Sequence, residues 1–239
     1  MGNGNEPVTA VRLLRDGIEI AVGQDAIEEA ARRLLGGEVV ATPTDTVYGL
    51  AAAIERPAAL ARVFVIKGRD RSQTLPVLVP DMSAAEALLE LNREQPRSAS
   101  ARLLALADHF WPGGLTVALP ARSDLPAEVV AADETVGVRV PDNDVTRTLL
   151  RLAGGALAVT SANRSGQPPL IDADAVHLEL GSAGLRWVLD GGPAGLAVAS
   201  TVIGQTNGNL VIHRDGAIAG HRLRQHWADI PAEADRRPR

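Results

Sequence analysis

Apolar positions along this chain recur with two periods, one helical and one extended. Over residues 24–35, Ile27, Ala30, Ala31, Leu34 and Leu35 fall on one stripe, and Gly36-Gly37 close the segment as a helix C-terminus. The same spacing predicts helices over 57–66, 83–91, 98–109 and 144–153. Ser83 is the expected N-cap of the 83–91 segment, and Ser98 or Ser100 that of the 98–109 segment. Short β-branched or continuous apolar runs predict strands at 39–42, 48–54, 75–79, 115–120, 136–140, 156–160, 186–190, 200–204 and 209–213. The last two flank Asn207-Gly208, a hairpin signal because both turn positions favour positive φ. Helices and strands alternate at first, but the last third is rich in strands. That pattern predicts an α/β (α+β) fold, a mixed sheet with helices packed on it, and excludes strict Rossmann or TIM alternation. No repeat and no linker interrupts the middle of the chain, so one domain over 10–220 is expected. The polar, Gly/Asn-rich residues 1–9 and the stretch 228–239, which ends in Asp-Arg-Arg-Pro-Arg, read as flexible tails.

Composition narrows the chemistry. With 46% hydrophobic residues over 239 positions, the chain is built to bury a core. Zero cysteines exclude a disulfide scaffold, a thiol nucleophile and cysteine-bearing zinc or iron–sulfur sites. The histidines at 109, 177, 213, 221 and 226 show no HExxH spacing, so a metal is expected only as part of an incoming ligand. The formal charge of −5 argues against general attraction to polyanions, although a local basic patch is compatible with it. No apolar run approaches the roughly 18–20 residues of a bilayer span, and the first residues do not form a signal peptide. A soluble, cytoplasmic protein with no membrane partner is the expectation. The cations comprise 23 arginines and a single lysine, Lys67.

Polar residues interrupt the apolar pattern in five clusters. A Walker loop is excluded, because Lys67 follows Ile66 without the required glycines, and GxGxxG is absent. The first cluster, Thr42 to Leu50, is a hydroxyl-dense turn between two strands. The second, Lys67-Gly68-Arg69-Asp70-Arg71-Ser72-Gln73, follows a helix and either complements its dipole or grips phosphate. The third is Trp111-Pro112-Gly113-Gly114-Leu115-Thr116. In the fourth, Thr135, Gly137 and Arg139 share one face of a strand, with Gly137 leaving room for a ligand. The fifth, Val159 to Gly166, runs out of a strand into a small polar loop where Ser161 and Asn163 offer uncharged groups. Taken alone, the first, third and fifth read as turns, the second as a solvated helix end, and Arg139 in the fourth as a strand arginine that snorkels or pairs. Together they offer cations, hydroxyls and an amide at element ends, without a Ser–His–Asp order. That set fits phosphoryl or nucleotidyl chemistry by positioning and charge neutralisation.

The motifs PTDTVYGL (43–50), KGR (67–69), WPGGLT (111–116), VRVP (138–141), SANRSG (161–166) and ASTVI…IHRDGAI (199–218) stand in an order that resembles the YrdC-like family. The KxR and SxN pair is similar to its threonylcarbamoyl-AMP synthase branch, in the short, single-domain form. The resemblance covers roughly 22–218 and implies an open, twisted mixed sheet with a concave, locally positive cavity. It implies condensation of L-threonine, bicarbonate and ATP to threonylcarbamoyl-AMP and pyrophosphate. A downstream transferase complex would then modify adenosine 37 of tRNA, and direct tRNA contact is a further implied possibility.

By position, the resemblance implies that Thr46, Arg139, Ser200 and the backbone at Val159 hold threonine. Lys67, Arg69, Gln73, Thr135, Ser161, Asn163 and Arg214 would surround ATP, with Mg2+ carried on the triphosphate. Lys67, Arg69, Ser161 and Asn163 are the implied catalytic set. Against the family pattern, Asp70 places a negative charge beside the phosphate-gripping residues, and Pro169 stands where a hydroxyl is expected. Two other outcomes stay open at this level: a non-catalytic member that binds double-stranded RNA or tRNA, and a divergent carbamoyl-transfer paralogue. Read as an exposed loop cation, Lys67 should be replaceable by alanine without loss of folding.

Overall fold

The structure is a computed structural model, which describes residues 10–14, 18–89 and 97–231. Strands β1 Ala10–Leu14, β2 Ile18–Val22, β3 Val40–Thr42, β4 Gly49–Ala53, β5 Val77–Leu78, β6 Leu115–Pro120, β7 Thr135–Arg139, β8 Leu157–Ser161, β9 Trp187–Leu189, β10 Thr201–Thr206 and β11 Asn209–Arg214 form one sheet. Helices α1 Gln24–Leu35, α2 Pro57–Lys67, α3 Met82–Glu86, α4 Arg97–Phe110, α5 Asp144–Leu152, α6 Ala173–Leu180 and α7 Gly220–Asp229 pack on it. The strand order is β1-β2-β9-β3-β4-β8-β5-β7-β6-β10-β11. It is open and mixed: β9 lies parallel to both β2 and β3, β5 to β7, and β10 to β6, while the other neighbours are antiparallel.

Alternation along the central strands divides the core. Ala41, Leu50, Ala52 and Ala158 face α2, α4, α6 and α7. Val40, Ala51, Ala53, Leu157 and Val159 face α1 and α5. The second layer covers only part of its face. Beyond Leu78 and Val159, the same side of the sheet continues through Arg139, Gly137 and Thr116 without entering that helix-covered cluster. This bare half-face is the floor of the candidate site.

Several expectations are corrected. The segment read as a helix over 83–91 is helical only to Glu86, followed by a turn and a bridge from Leu89 to Ala121; residues 90–96 lie outside the described residues. Its N-cap is Asp81, whose carboxylate accepts from the Ala84 amide at 3.0 Å, in place of Ser83. Helix α4 already includes Arg97, so Ser98 and Ser100 lie inside it. Strands β1 and β2 and helices α6 and α7 are additional to the sequence reading. Helix α6 starts at an Asp172 cap that accepts from the Ala175 amide at 2.7 Å. Helix α7 runs through Asp229, two residues into the stretch read as a tail. Residues 1–9 and 232–239 lie outside the described residues. Among the described residues no helix is long and apolar enough to cross a membrane.

Candidate active site

A cleft of about 620 Å³, counted with its open mouth, lies over the bare half-face. Its wall begins with the turn between β3 and β4. There the Thr44 hydroxyl accepts from the amides of Thr46 (3.1 Å) and Val47 (3.2 Å) and donates to the Val47 carbonyl at 2.7 Å. A side chain thus replaces backbone pairing inside a buried turn. Gly49 follows because a Cβ there would stand 2.5 Å from Cγ1 of Val159 on the adjacent strand.

Arg139, at the end of β7, is only 5% exposed and is held at every nitrogen. Its Nε donates to the Gly113 carbonyl at 2.8 Å, Nη1 to the Thr46 hydroxyl at 2.9 Å, and Nη2 to the Asp45 carboxylate. Since Thr44 spends its own proton on Val47, Thr46 donates to Thr44 at 2.9 Å and keeps one lone pair unused. Burial presses the Arg139 pKa down, and the Asp45 charge opposes that shift. Opposite, Ser200 pairs with the Thr116 hydroxyl at 2.8 Å and accepts from Nη2 of Arg214 at 3.1 Å. Arg214 also grips the Ser200 carbonyl through Nε (3.1 Å) and Nη2 (2.8 Å).

The cationic side comes from the end of α2. Gly68 adopts a left-handed conformation, and the Arg69 amide closes back on the Phe64 carbonyl at 3.0 Å. This ending buries Lys67 and turns Arg69 toward the cleft. Arg69 donates to the Thr160 hydroxyl (3.0 Å) and the Thr74 carbonyl (2.9 Å), while its buried Nε has no hydrogen-bond partner. Burial lowers its pKa, with the Arg214 charge as a second cause. Among the described residues neither Arg69 nor Arg214 is paired with a carboxylate, so the two guanidinium groups bias the cleft toward an anion.

Thr46, Arg69, Arg139, Val159, Ser161, Ser200 and Arg214 all line this cleft. Lys67, Gln73, Thr135 and Asn163 do not. Lys67 is 3% exposed, and its ammonium donates to the Ser161 carbonyl, the Asn163 carbonyl at 2.8 Å and Asn163 Oδ1 at 3.3 Å. The reading of Lys67 as an exposed loop cation is therefore corrected: it is a buried strut under the 161–166 loop. Burial lowers its pKa to about 8, with Arg69 adding to the effect. The Asn163 amide is likewise turned into the loop, donating to the carbonyls of Arg164 (2.9 Å) and Gln167 (2.6 Å). Gln73 is exposed in the turn that follows α2, its amide on the Asp70 carbonyl at 3.2 Å. Thr135 lines a separate depression with His213 and donates to Asp133 at 2.7 Å.

Gly137 is not among the residues lining the cleft, and a Cβ there would make only ordinary contacts, with Thr116 Cγ2 at 3.4 Å and Pro76 Cβ at 3.7 Å. Asp70 is exposed, and its carboxylate accepts from the Ser72 amide at 2.9 Å. Hydrogen bonds from the Ser72 amide and side chain hold its pKa below the usual carboxylate value. Neither Asp70 nor Pro169 lines the cleft. The sequence reading missed Asp45, Thr44, Thr116 and Thr160 as working parts. All four lay inside the five polar clusters, but nothing local marked their distant partners.

The Sua5/YciO/YrdC family model, described as telomere recombination, matches residues 32–216. A threonylcarbamoyl-AMP synthase of Bacillus subtilis (strain 168) is 36% identical over 206 residues, which cover 86% of this chain and 57% of that protein. A putative threonylcarbamoyl-AMP synthase of Mycobacterium leprae is 34% identical over 206 residues, covering 86% of this chain and 90% of that protein. The chain thus spans little more than half of the first relative and most of the second. Among solved structures, Pyrococcus abyssi Sua5 complexed with L-threonine matches with a TM-score of 0.77 at 31% identity, covering 86% of this chain and 59% of that one. Escherichia coli YciO shares the fold, with a TM-score of 0.72 at 24% identity over 82% of this chain and 92% of its own. Sequence and architecture agree, and the chain belongs to the Sua5/YciO/YrdC family.

Proposed function

We propose that the cleft makes threonylcarbamoyl-AMP, as a nucleotidyltransferase acting on L-threonine, bicarbonate and ATP. The observation that carries this reading is the state of Arg139. Among the described residues, three of its five N–H groups are held by protein acceptors, which leaves one on each terminal nitrogen for a substrate carboxylate. The relatives' names and the threonine complex of P. abyssi Sua5 support the same substrate. The threonine carboxylate would sit on Arg139, with Ser200 and the Val159 backbone beside it. The Thr46 lone pair would accept from the substrate hydroxyl, favouring threonine and serine over valine.

In the reaction, the threonine amine captures the carbon of bicarbonate, releasing water and giving a carbamate. A carbamate oxygen attacks the α-phosphorus of ATP, the bond to the bridging oxygen breaks, and pyrophosphate leaves. Both partners are anions, so cations must gather them before the step. Arg69 and Arg214, both lining the cleft, would supply that charge, with Ser161 near the nucleotide. Lys67 and Asn163 would act from behind by holding the Ser161 loop, while Gln73 and Thr135 would meet the outer parts of ATP. Magnesium would enter on the triphosphate as part of the substrate. Among the described residues, no group of three His, Asp or Glu side chains is placed to hold a metal. The product would pass to a transferase complex that modifies tRNA.

The test is pyrophosphate release from ATP in bicarbonate buffer, with threonine, serine and valine compared. Release that depends on threonine and falls from threonine to valine is expected. A folded, ATP-binding protein that releases none refutes the reading.

A further inference from the structure

Asp45 stands beside the cleft and outside it. It lines a neighbouring depression with Asp142, Asn143, Gly113 and Leu196. The carboxylate accepts from Nη2 of Arg139, while Asp45 is not among the residues that line the cleft. Both members of the pair are largely buried, with side-chain exposures of 6% for Arg139 and 11% for Asp45. The next residue, Thr46, takes Nη1 at 2.9 Å, so one turn clamps both terminal nitrogens. The Asp45 carbonyl in turn accepts from the Leu196 amide at 3.0 Å, which fixes the turn against the 190–200 segment.

A carboxylate so close to a substrate-binding cation can act in two opposed ways. It can compete with the substrate carboxylate for the guanidinium, or it can hold the guanidinium so that its remaining fork faces the ligand. The placement decides between them: Asp45, which does not line the cleft, occupies one N–H and leaves one on each terminal nitrogen. A buried guanidinium without that anchor would keep its charge, since arginine does not deprotonate in proteins, but would lose its fixed orientation.

We infer that Asp45 is a positioning residue for threonine recognition, acting through Arg139 without touching substrate. The inference rests on the proposed threonine-binding role of the cleft. Orientation of a binding group affects ground state and transition state alike, so its loss should appear in KM more than in kcat.

The experiment compares wild type with Asp45→Asn and Asp45→Glu in the pyrophosphate assay, varying threonine and ATP separately. Asp45→Asn keeps the volume and an acceptor while removing the charge. The expected result is a rise in threonine KM of about tenfold or more, with ATP KM within about twofold of wild type and partial recovery in Asp45→Glu. An unchanged or lower threonine KM in folded Asp45→Asn overturns the inference, as does a parallel rise in both KM values. If Asp45→Asn fails to fold, Asp45→Glu decides, since its altered reach should still raise threonine KM selectively and an unchanged value overturns the inference. If wild type releases no pyrophosphate, the synthase reading fails separately. Equilibrium dialysis of threonine then decides Asp45: weaker binding in the variants supports it, and equal binding, or none in wild type, overturns it.

Discussion

At the scale of single residues, Lys67 shows how position changes what a side chain does. Its ammonium serves three oxygens of the 161–163 segment from a site almost closed to water. Lys67→Ala would take the ammonium from all three oxygens, leaving the Ser161 carbonyl with the Asn163 amide at 3.0 Å, and would open a cavity. A destabilisation of about 2–4 kcal/mol is expected in chemical denaturation. The sequence reading expected a fold indifferent to this change. Titration makes a second prediction. Burial holds the folded-state pKa at about 8, below the ordinary 10.5. Between those values the unfolded chain binds the proton that the folded chain has released, so stability rises with pH across that window. Tyr48 acts in the opposite direction, because burial and Asp190 raise its pKa and a folded-state proton is retained above pH 10. The rise due to Lys67 should therefore be visible between about pH 8 and 10 and absent from Lys67→Met. Denaturation midpoints at several pH values check this, and equal slopes in the two proteins would contradict it.

At the scale of elements, the site depends on a side chain of one strand that occupies the space above a glycine of the next. Strand β4 pairs with β8 through Gly49 and Ser161, and Cγ1 of Val159 lies in the space a side chain at 49 would need. Gly49→Ala should cost about 1–3 kcal/mol through overpacking, and Val159→Ala in the same protein should recover part of that loss. Urea denaturation of the single and double variants reads the coupling; strict additivity would mean that the two positions do not meet. The elements themselves were unequally legible. Helices α1, α2, α4 and α5 emerged within a residue or two of their ends because each carries a long apolar period. Helix α7 buries just Leu223 and Trp227, and β2 has a five-residue Ile-Glu-Ile-Ala-Val run. Such short patterns are too weak to separate from their surroundings.

At the scale of the whole molecule, the C-terminal helix closes the layer below the sheet. The Arg102 guanidinium lies 4.1 Å from the Trp227 ring and donates to the carbonyls of Trp227 (2.8 Å) and Ile230 (3.2 Å). Deleting residues 220–239 should cost about 3–6 kcal/mol, mainly from the loss of the Leu223 and Trp227 contacts. A thermal melt compares the shortened and full chains, and an unchanged midpoint would show α7 to be a mere appendage. The outcome also bears on the domain read as 10–220, because a large loss would extend the folding unit through α7.

Sequence alone determined the mixed α/β class, most of the central strands and the residue types of the site, because these follow from local periodicity and turn chemistry. PTDTVYGL, KGR, VRVP and SANRSG could be picked out as polar interruptions without knowing where they meet. Tertiary structure alone decided which of these groups face the cleft. Asp45 and Arg139 are 94 positions apart, and Lys67 and Asn163 are 96 apart. Only the order of strands in the sheet brings either pair together. The same packing buries Lys67 beneath its loop and leaves Arg69, two residues later, facing the cleft. No local pattern separates two neighbouring cations in that way, because burial is set by chain that lies far off in sequence.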